Sequence, residues 1–384
     1  MKNWPSLLLG VTLVVGPIPQ AHAHQGQHVS PTPTAQATVS PQISYGKGWR
    51  PLAPIAGGAR QEHGLAAVGS KVYLIGGISP DGTGAFTTTR RVEVYDTERG
   101  TWASAAPLPV EMNHPNVAVV DGKIYVIGAL SGGASWQALR DSFVYDTRTN
   151  EWTRLPSVPV GLERGSAAVG VHGGKIYLAG GMRTLTPGPG GLQDTVDTVS
   201  SYDVRTGRWQ RLPSLPEARD HVGGAIIGTK LYVVGGRDRG QVNVRDTVYF
   251  YDLRSGRWSQ GAPMPTARGG LASAVVGTKI YTFGGEGKHD GHNPNTVFDE
   301  TEAYDTVRNK WQKLAPMAVP RHGTAAVAVG SAIYIPGGGT AAGGSPVDVN
   351  DAYVPVRQLH AAAGTAARLA EREHQNQVPE KKDC

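Results

Sequence analysis

Arg60, Arg164, Arg219, Arg268 and Arg321 each stand eleven residues ahead of one of five similar apolar segments, beginning at Lys71, Lys175, Lys230, Lys279 and Ala332. A guanidinium is a planar fork of N–H donors that keeps its charge, so several aimed at one point would hold a carboxylate or phosphate bidentately. A sixth copy carries Met112 at that position, followed by Asn113 and His114, and the loop after its apolar segment holds Trp136. Two readings follow. In one, the five arginines, His114 and Trp136 line an anion-binding mouth with Trp136 as an aromatic platform. In the other, the arginines are neutralised internally by acids nearby in sequence, among them Glu62, Glu163, Glu217 and Asp220. Further titratable groups fall in the same stretches: His63, His221, Glu286, His289, Asp290, His292 and His322. A carboxylate beside arginines can serve as a general base and a histidine as its partner acid. His289-Asp290-Gly291-His292 has no third ligand at a defined spacing, and His22, His24 and His28 read as solvated, so neither a metal nor a cofactor is expected.

The apolar segments themselves repeat. Lys71-Val72-Tyr73-Leu74-Ile75-Gly76-Gly77 returns from Lys123, Lys175, Lys230, Lys279 and Ala332, with the glycine pair altered once, to Gly128-Ala129. A period of about fifty residues marks a repeat architecture. Downstream of each comes a Tyr-Asp step (Tyr95, Tyr145, Tyr202, Tyr251 and Tyr304, weakened to Tyr353-Val354), then a tryptophan at constant offset: Trp102, Trp152, Trp209, Trp258 and Trp311. Each unit therefore encodes four short strands, and the second, apolar on nearly every residue, is expected between two neighbouring sheets. The glycine pair leaves room for a large neighbour on the backbone, and the tryptophan is the expected one.

A glycine pair, then a spaced tyrosine, then a spaced tryptophan resembles the kelch repeat over about four-fifths of the chain. The resemblance implies an all-β fold, a six-bladed kelch β-propeller with four-stranded blades. The sixth unit lacks its tryptophan strand, whereas Trp49-Arg50-Pro51-Leu52 is a tryptophan strand without preceding partners, so the amino-terminal strand is expected to close the last blade. In an antiparallel blade the second-to-third loops and the first-strand starts share one mouth. Kelch propellers often place the repeat's arginine in a binding pocket. The leading reading is a non-enzymatic exported binding module that recognises a partner protein or an anionic glycan. The chain also resembles, more distantly, the exported periplasmic sialic-acid mutarotases; that resemblance implies an alternative, a sugar-acid mutarotase or epimerase with Arg219 as anion clamp and Glu286 as base. A copper-radical oxidase, also built on kelch repeats, is excluded because it needs a cysteine cross-linked inside the propeller and the single cysteine is Cys384.

Residues 1–23 read as a secretory signal, with Lys2, an apolar run from Leu7 to Val15 and Ala21-His22-Ala23 before the cut. Residues 24–44 read as a flexible linker, 45–356 as the propeller and 357–384 as a partly helical or disordered tail. The expected location is secreted or periplasmic, with no membrane span, and the expected state is a monomer. A net charge of +6 from dispersed basic residues argues against nucleic acid as a partner.

Overall fold

The computed structural model describes residues 45–355 apart from 84, 134, 187–191 and 290–292. The expected signal, linker, tail, Cys384 and the Asp290 and His292 positions lie outside the described residues. No helix among the described residues is long and apolar enough to cross a membrane.

Six antiparallel sheets are arranged as blades, and blade 1 shows the plan: Gly64–Val68, Lys71–Ile75, Val92–Asp96 and Thr101–Ser104 pair in that order. The second strands are buried almost throughout, as their apolar sequence requires. Blade 6 takes its outer strand from Trp49–Pro51, which pairs with Asn350–Tyr353 in the register Trp49↔Tyr353. The ring is thus closed by the strand the sequence left without partners, and a sheet edge is removed.

The tryptophans work between blades. Each stacks on the tyrosine opposite it, with Tyr95–Trp102, Tyr145–Trp152 and Tyr304–Trp311 centroids 5.1, 4.9 and 5.1 Å apart. Five donate their indole N–H to the chain leaving the preceding blade: Trp152 to Ala106 O (2.9 Å), Trp258 to Pro213 O, Trp311 to Ala262 O, Trp102 to Ala53 O and Trp49 to Ala315 O. The neighbour that requires glycine is therefore not the tryptophan. A Cβ on Gly76 would lie 2.5 Å from the Met112 carbonyl, and one on Gly180, Gly284 or Gly337 would strike the carbonyl of Arg219, Arg321 or Arg60. The second glycine of the pair donates its N–H to that same carbonyl of the next blade, for example Gly236 to Arg268 O at 2.9 Å and Gly338 to Arg60 O at 2.8 Å. Blade 2, with Ala129, substitutes a side chain: Asn116 Nδ2 donates to Arg164 O at 2.8 Å. Its second and third strands also run on, Lys123–Ser131 and Trp136–Asp146, to form a tall hairpin over the mouth.

Candidate functional site

The five arginines do not line the mouth. Each side chain is buried, at 0–1% exposure, and turned back into its own blade. It donates to the carbonyl of the first glycine sixteen residues on: Arg60 to Gly76, Arg164 to Gly180, Arg219 to Gly235, Arg268 to Gly284 and Arg321 to Gly337. Three also pair with an acid on the third strand of the same blade, Arg60 with Glu93 (2.8 Å), Arg268 with Glu302 (2.6 Å) and Arg321 with Asp351 (2.7 Å). Arg219 pairs with Glu217 and lies over the Tyr249 ring. The acids Glu93, Glu302 and Asp351 sit two residues before the repeat tyrosine, a register held by Ser200 and Tyr249 in blades 3 and 4, and in blade 2 by Phe143, packed in the same apolar cluster as Met112. Blade 2 has thus exchanged the charged pair for an apolar one, and Met112 belongs to the core between blades rather than to a ligand contact. Burial pulls Arg60 down to about 10 and Arg164 to about 9, which leaves both charged at neutral pH. With every guanidinium spent inside the scaffold, the anion-binding mouth built on them is corrected to a set of structural clamps.

What reaches the axis is the residue two places further on. Glu62, His114, Ser166, His221, Gly270 and Gly323, one per blade, all have φ between 50° and 63°. Backbone bonds link them around the axis: His114 N–H to Glu62 O, Ser166 N–H to His114 O, Gly270 N–H to His221 O, Gly323 N–H to Gly270 O and Glu62 N–H to Gly323 O. The remaining link runs from His221 N–H to Ser166 Oγ at 3.1 Å. Glycine adopts this conformation without strain, whereas a glutamate, a serine or a histidine there costs on the order of 1 kcal/mol and points to a function for the side chain.

Those side chains converge. Glu62 Oε2 lies 3.0 Å from His114 Nε2, and His114 Nε2 lies 3.1 Å from His221 Nε2. The far nitrogen of each imidazole is held, His114 Nδ1 by Asn113 Oδ1 at 2.8 Å and His221 Nδ1 by Asp220 Oδ1 at 2.5 Å. Arg237 bonds Glu286, donates to His221 Nε2 at 2.9 Å and approaches Asp220 at 3.4 Å. Glu286 accepts from Gly343 N–H, and His322 Nδ1 lies 3.7 Å from it and 3.9 Å from Glu62. Burial raises the Glu62 carboxyl, but the surrounding His114, His221 and His322 more than offset this and hold it well below the usual range. Burial, with Arg237 beside it, pushes His221 down; His63, buried next to Arg60, falls to about 3.

The ring borders a cavity of about 290 Å³ that runs along the innermost strands, past Leu65, Val117, Val169, Ala272 and Val327. On the loop side the cover is divided. The residues after the glycine pairs are Ile78, Leu130 and Met182 on one half and Arg237, Glu286 and Gly339 on the other. Trp136 joins the apolar half, packed with Leu130, Met182 and Leu185 and 5.5 Å from the His114 ring. Of the residues singled out from sequence, the structure brings together Glu62, His114, Asp220, His221, Glu286, His322 and Trp136. It separates Arg219 from Glu286, whose cation is Arg237 instead. Arg237 was missed, although its place directly after Gly235-Gly236 makes it, with Glu286, one of two charged residues in a register otherwise held by Ile78, Leu130, Met182 and Gly339.

Closed blades of this plan, clamped through an arginine and a glycine pair and stapled by a tyrosine–tryptophan stack, define a class, and the chain belongs to it: it is a kelch-repeat β-propeller. Residues 59–109 and 113–159 match the Kelch motif, and residues 166–338 match the KLHDC2/KLHL20/DRC7 Kelch-repeats domain. The Kelch-like protein terF of Aspergillus terreus is 46% identical over 298 residues, covering 77% of this chain and 64% of that protein. Kelch-like protein 40 of Xenopus tropicalis is 29% identical over 189 residues, 49% of this chain and 28% of its own length. The chain thus spans under two thirds of terF and just over a quarter of the frog relative. Among solved structures, that of YjhT superimposes with a TM-score of 0.66 at 18% identity, covering 80% of this chain and 98% of the other, a likeness of fold.

Proposed function

We propose that the chain is an exported kelch module that docks a protein partner on the mouth face. One observation carries the reading: of the five exposed large apolar side chains among the described residues, Phe86, Leu192 and Val242 stand on second-to-third loops and Val160 on a fourth-to-first connection, leaving only Val307 at the far end. In an antiparallel blade both kinds of connection emerge at the mouth. Apolar groups gathered on one face of a rigid scaffold are what a protein interface uses. The propeller fold supports this reading, since loops on such a scaffold commonly carry recognition. An anionic glycan is disfavoured, because the arginines that would hold it are spent inside the blades. The mutarotase alternative loses the Arg219–Glu286 pair on which it rested.

In quantitative pull-downs from the native host, the triple variant Phe86→Ser, Leu192→Ser, Val242→Ser is expected to lose at least tenfold of any specifically retained protein, while Val307→Ser retains it. Equal retention by both variants would refute the mouth-face assignment. Export rests on the pattern of residues 1–23. Amino-terminal sequencing of the secreted protein is expected to begin at His24, and an uncleaved chain found only inside the cell would contradict it.

A further inference from the structure

We propose that Glu62, His114 and His221 form a binding site for one first-row divalent transition-metal ion, facing the axial cavity. The inference goes beyond the docking reading and shares no residue with it. Three side chains from three different blades offer ligand atoms that all lie within 4.8 Å of one another. Their donor set, two imidazoles and one carboxylate, is that of mononuclear sites with open coordination positions.

Hydrogen bonding to the outer nitrogens assigns the lone pairs. Asp220 is a carboxylate and can only accept, so the proton of His221 sits on Nδ1 and its Nε2 presents a lone pair. Asn113 donates its amide to Thr88 Oγ1 at 2.8 Å, so its oxygen faces His114 and places that proton on Nδ1 as well. With both imidazoles in their neutral Nδ1-protonated form, two nitrogen lone pairs and a carboxylate oxygen point at one another, an arrangement that a cation between them satisfies. Carboxylate or amide oxygens holding the far nitrogen are also what fixes a metal-ligating histidine in its tautomer.

The distances fit. Two nitrogens 3.1 Å apart, each about 2.1 Å from a shared ion, subtend roughly 95° at it. That is an octahedral face rather than a closed tetrahedron, and it leaves positions free toward the cavity. Charge agrees too. Glu62, Asp220 and Glu286 bring three negative charges to the cluster and Arg237 one positive charge, so with the imidazoles neutral two negative charges await a partner, the charge of a divalent ion. Arg237 Nη2, which donates to His221 Nε2, is the group the ion displaces; it keeps Glu286 and the nearby Asp220 when it withdraws.

The test uses the full chain, stripped with a chelator and titrated separately with Co²⁺, Mn²⁺, Fe²⁺ under anaerobic conditions and Zn²⁺. Elemental analysis after desalting is expected to give one ion per chain, and Co²⁺ the weak visible bands of a five- or six-coordinate centre. Glu62→Gln, close in shape to the native residue, is expected to weaken binding at least tenfold, and His114→Ala or His221→Ala at least a hundredfold. Asp220→Asn is expected to cost ten- to a hundredfold through the His221 tautomer. Replacing His22, His24 and His28 together by alanine controls for amino-terminal chelation and is expected to leave the stoichiometry at one. Should a histidine variant fail to fold by circular dichroism, Glu62→Gln and the metal-induced rise in unfolding temperature of the native chain still decide. Absence of a stoichiometric ion, or unchanged affinity in folded Glu62→Gln, overturns the proposal.

Discussion

Arg268→Met is expected to destabilise the propeller by about 3–5 kcal/mol, because it strands a buried carboxylate. Glu302 has no side-chain exposure and takes its 2.6 Å ion pair from Arg268; without it, Thr266 Oγ1, at 2.9 Å, is left to hold a charge inside the blade. The arginine also fills space and donates to Gly284 O and Thr266 O, so packing and backbone bonds are lost with the charge. Blade 2 supplies the remedy. Met112 and Phe143 occupy the equivalent positions there at 0% and 1% exposure, and replacing a buried ion pair by well-packed apolar residues is often neutral. The double variant Arg268→Met, Glu302→Phe is therefore expected to regain most of the loss. Urea unfolding followed by tryptophan fluorescence measures both. A single variant within about 1 kcal/mol of the parent, or a double variant no better than the single, would show that the arginine is not a clamp.

Trp49→Ala is expected to cost about 3–5 kcal/mol as well, and to loosen the last blade selectively. Trp49 is 6% exposed, meets the Phe283 and Tyr353 rings at 5.6 and 5.2 Å and donates to Ala315 O at 2.8 Å. It is also the first residue of the strand that completes blade 6, so its loss weakens the strand pairing that joins the amino-terminal end of the propeller to the carboxy-terminal end. Trp209, half-buried and with no hydrogen-bond partner for its indole nitrogen among the described residues, offers the comparison. Trp209→Ala is expected to cost less, and limited proteolysis is expected to cut between residues 332 and 355 in Trp49→Ala first. Equal losses from the two substitutions would contradict the closure role.

The blade count, the closing strand and the shared mouth were legible because they depend on order and spacing, which a repeat writes out in full. The direction of a side chain is different. Constant spacing placed Arg60, Arg164, Arg219, Arg268 and Arg321 correctly at the first-strand entrances, but the side chain turns outward along the blade to reach carbonyls sixteen residues on. A signal for this was present. Glu93, Glu302 and Asp351 occupy one register, two before the repeat tyrosine, and the blade that lacks the arginine lacks the acid too. The axial site was legible only in parts. Glu62, His114 and His221 are separated by 52 and 107 residues, and they meet because a closed ring brings one register to the axis. Gly270 and Gly323 in that register are the clue that its backbone is left-handed, and hence that the glutamate and histidines there are held under strain.

The most direct test of the account, in which the arginines build the scaffold and the ring carries the chemistry, is an anomalous difference map. Crystals grown with Zn²⁺ and measured on either side of the zinc absorption edge are expected to show one strong peak about 2.1 Å from His114 Nε2 and His221 Nε2, bordered by Glu62. No peak at the axis, with bound anions found instead against Arg60, Arg164, Arg219, Arg268 or Arg321, would contradict it.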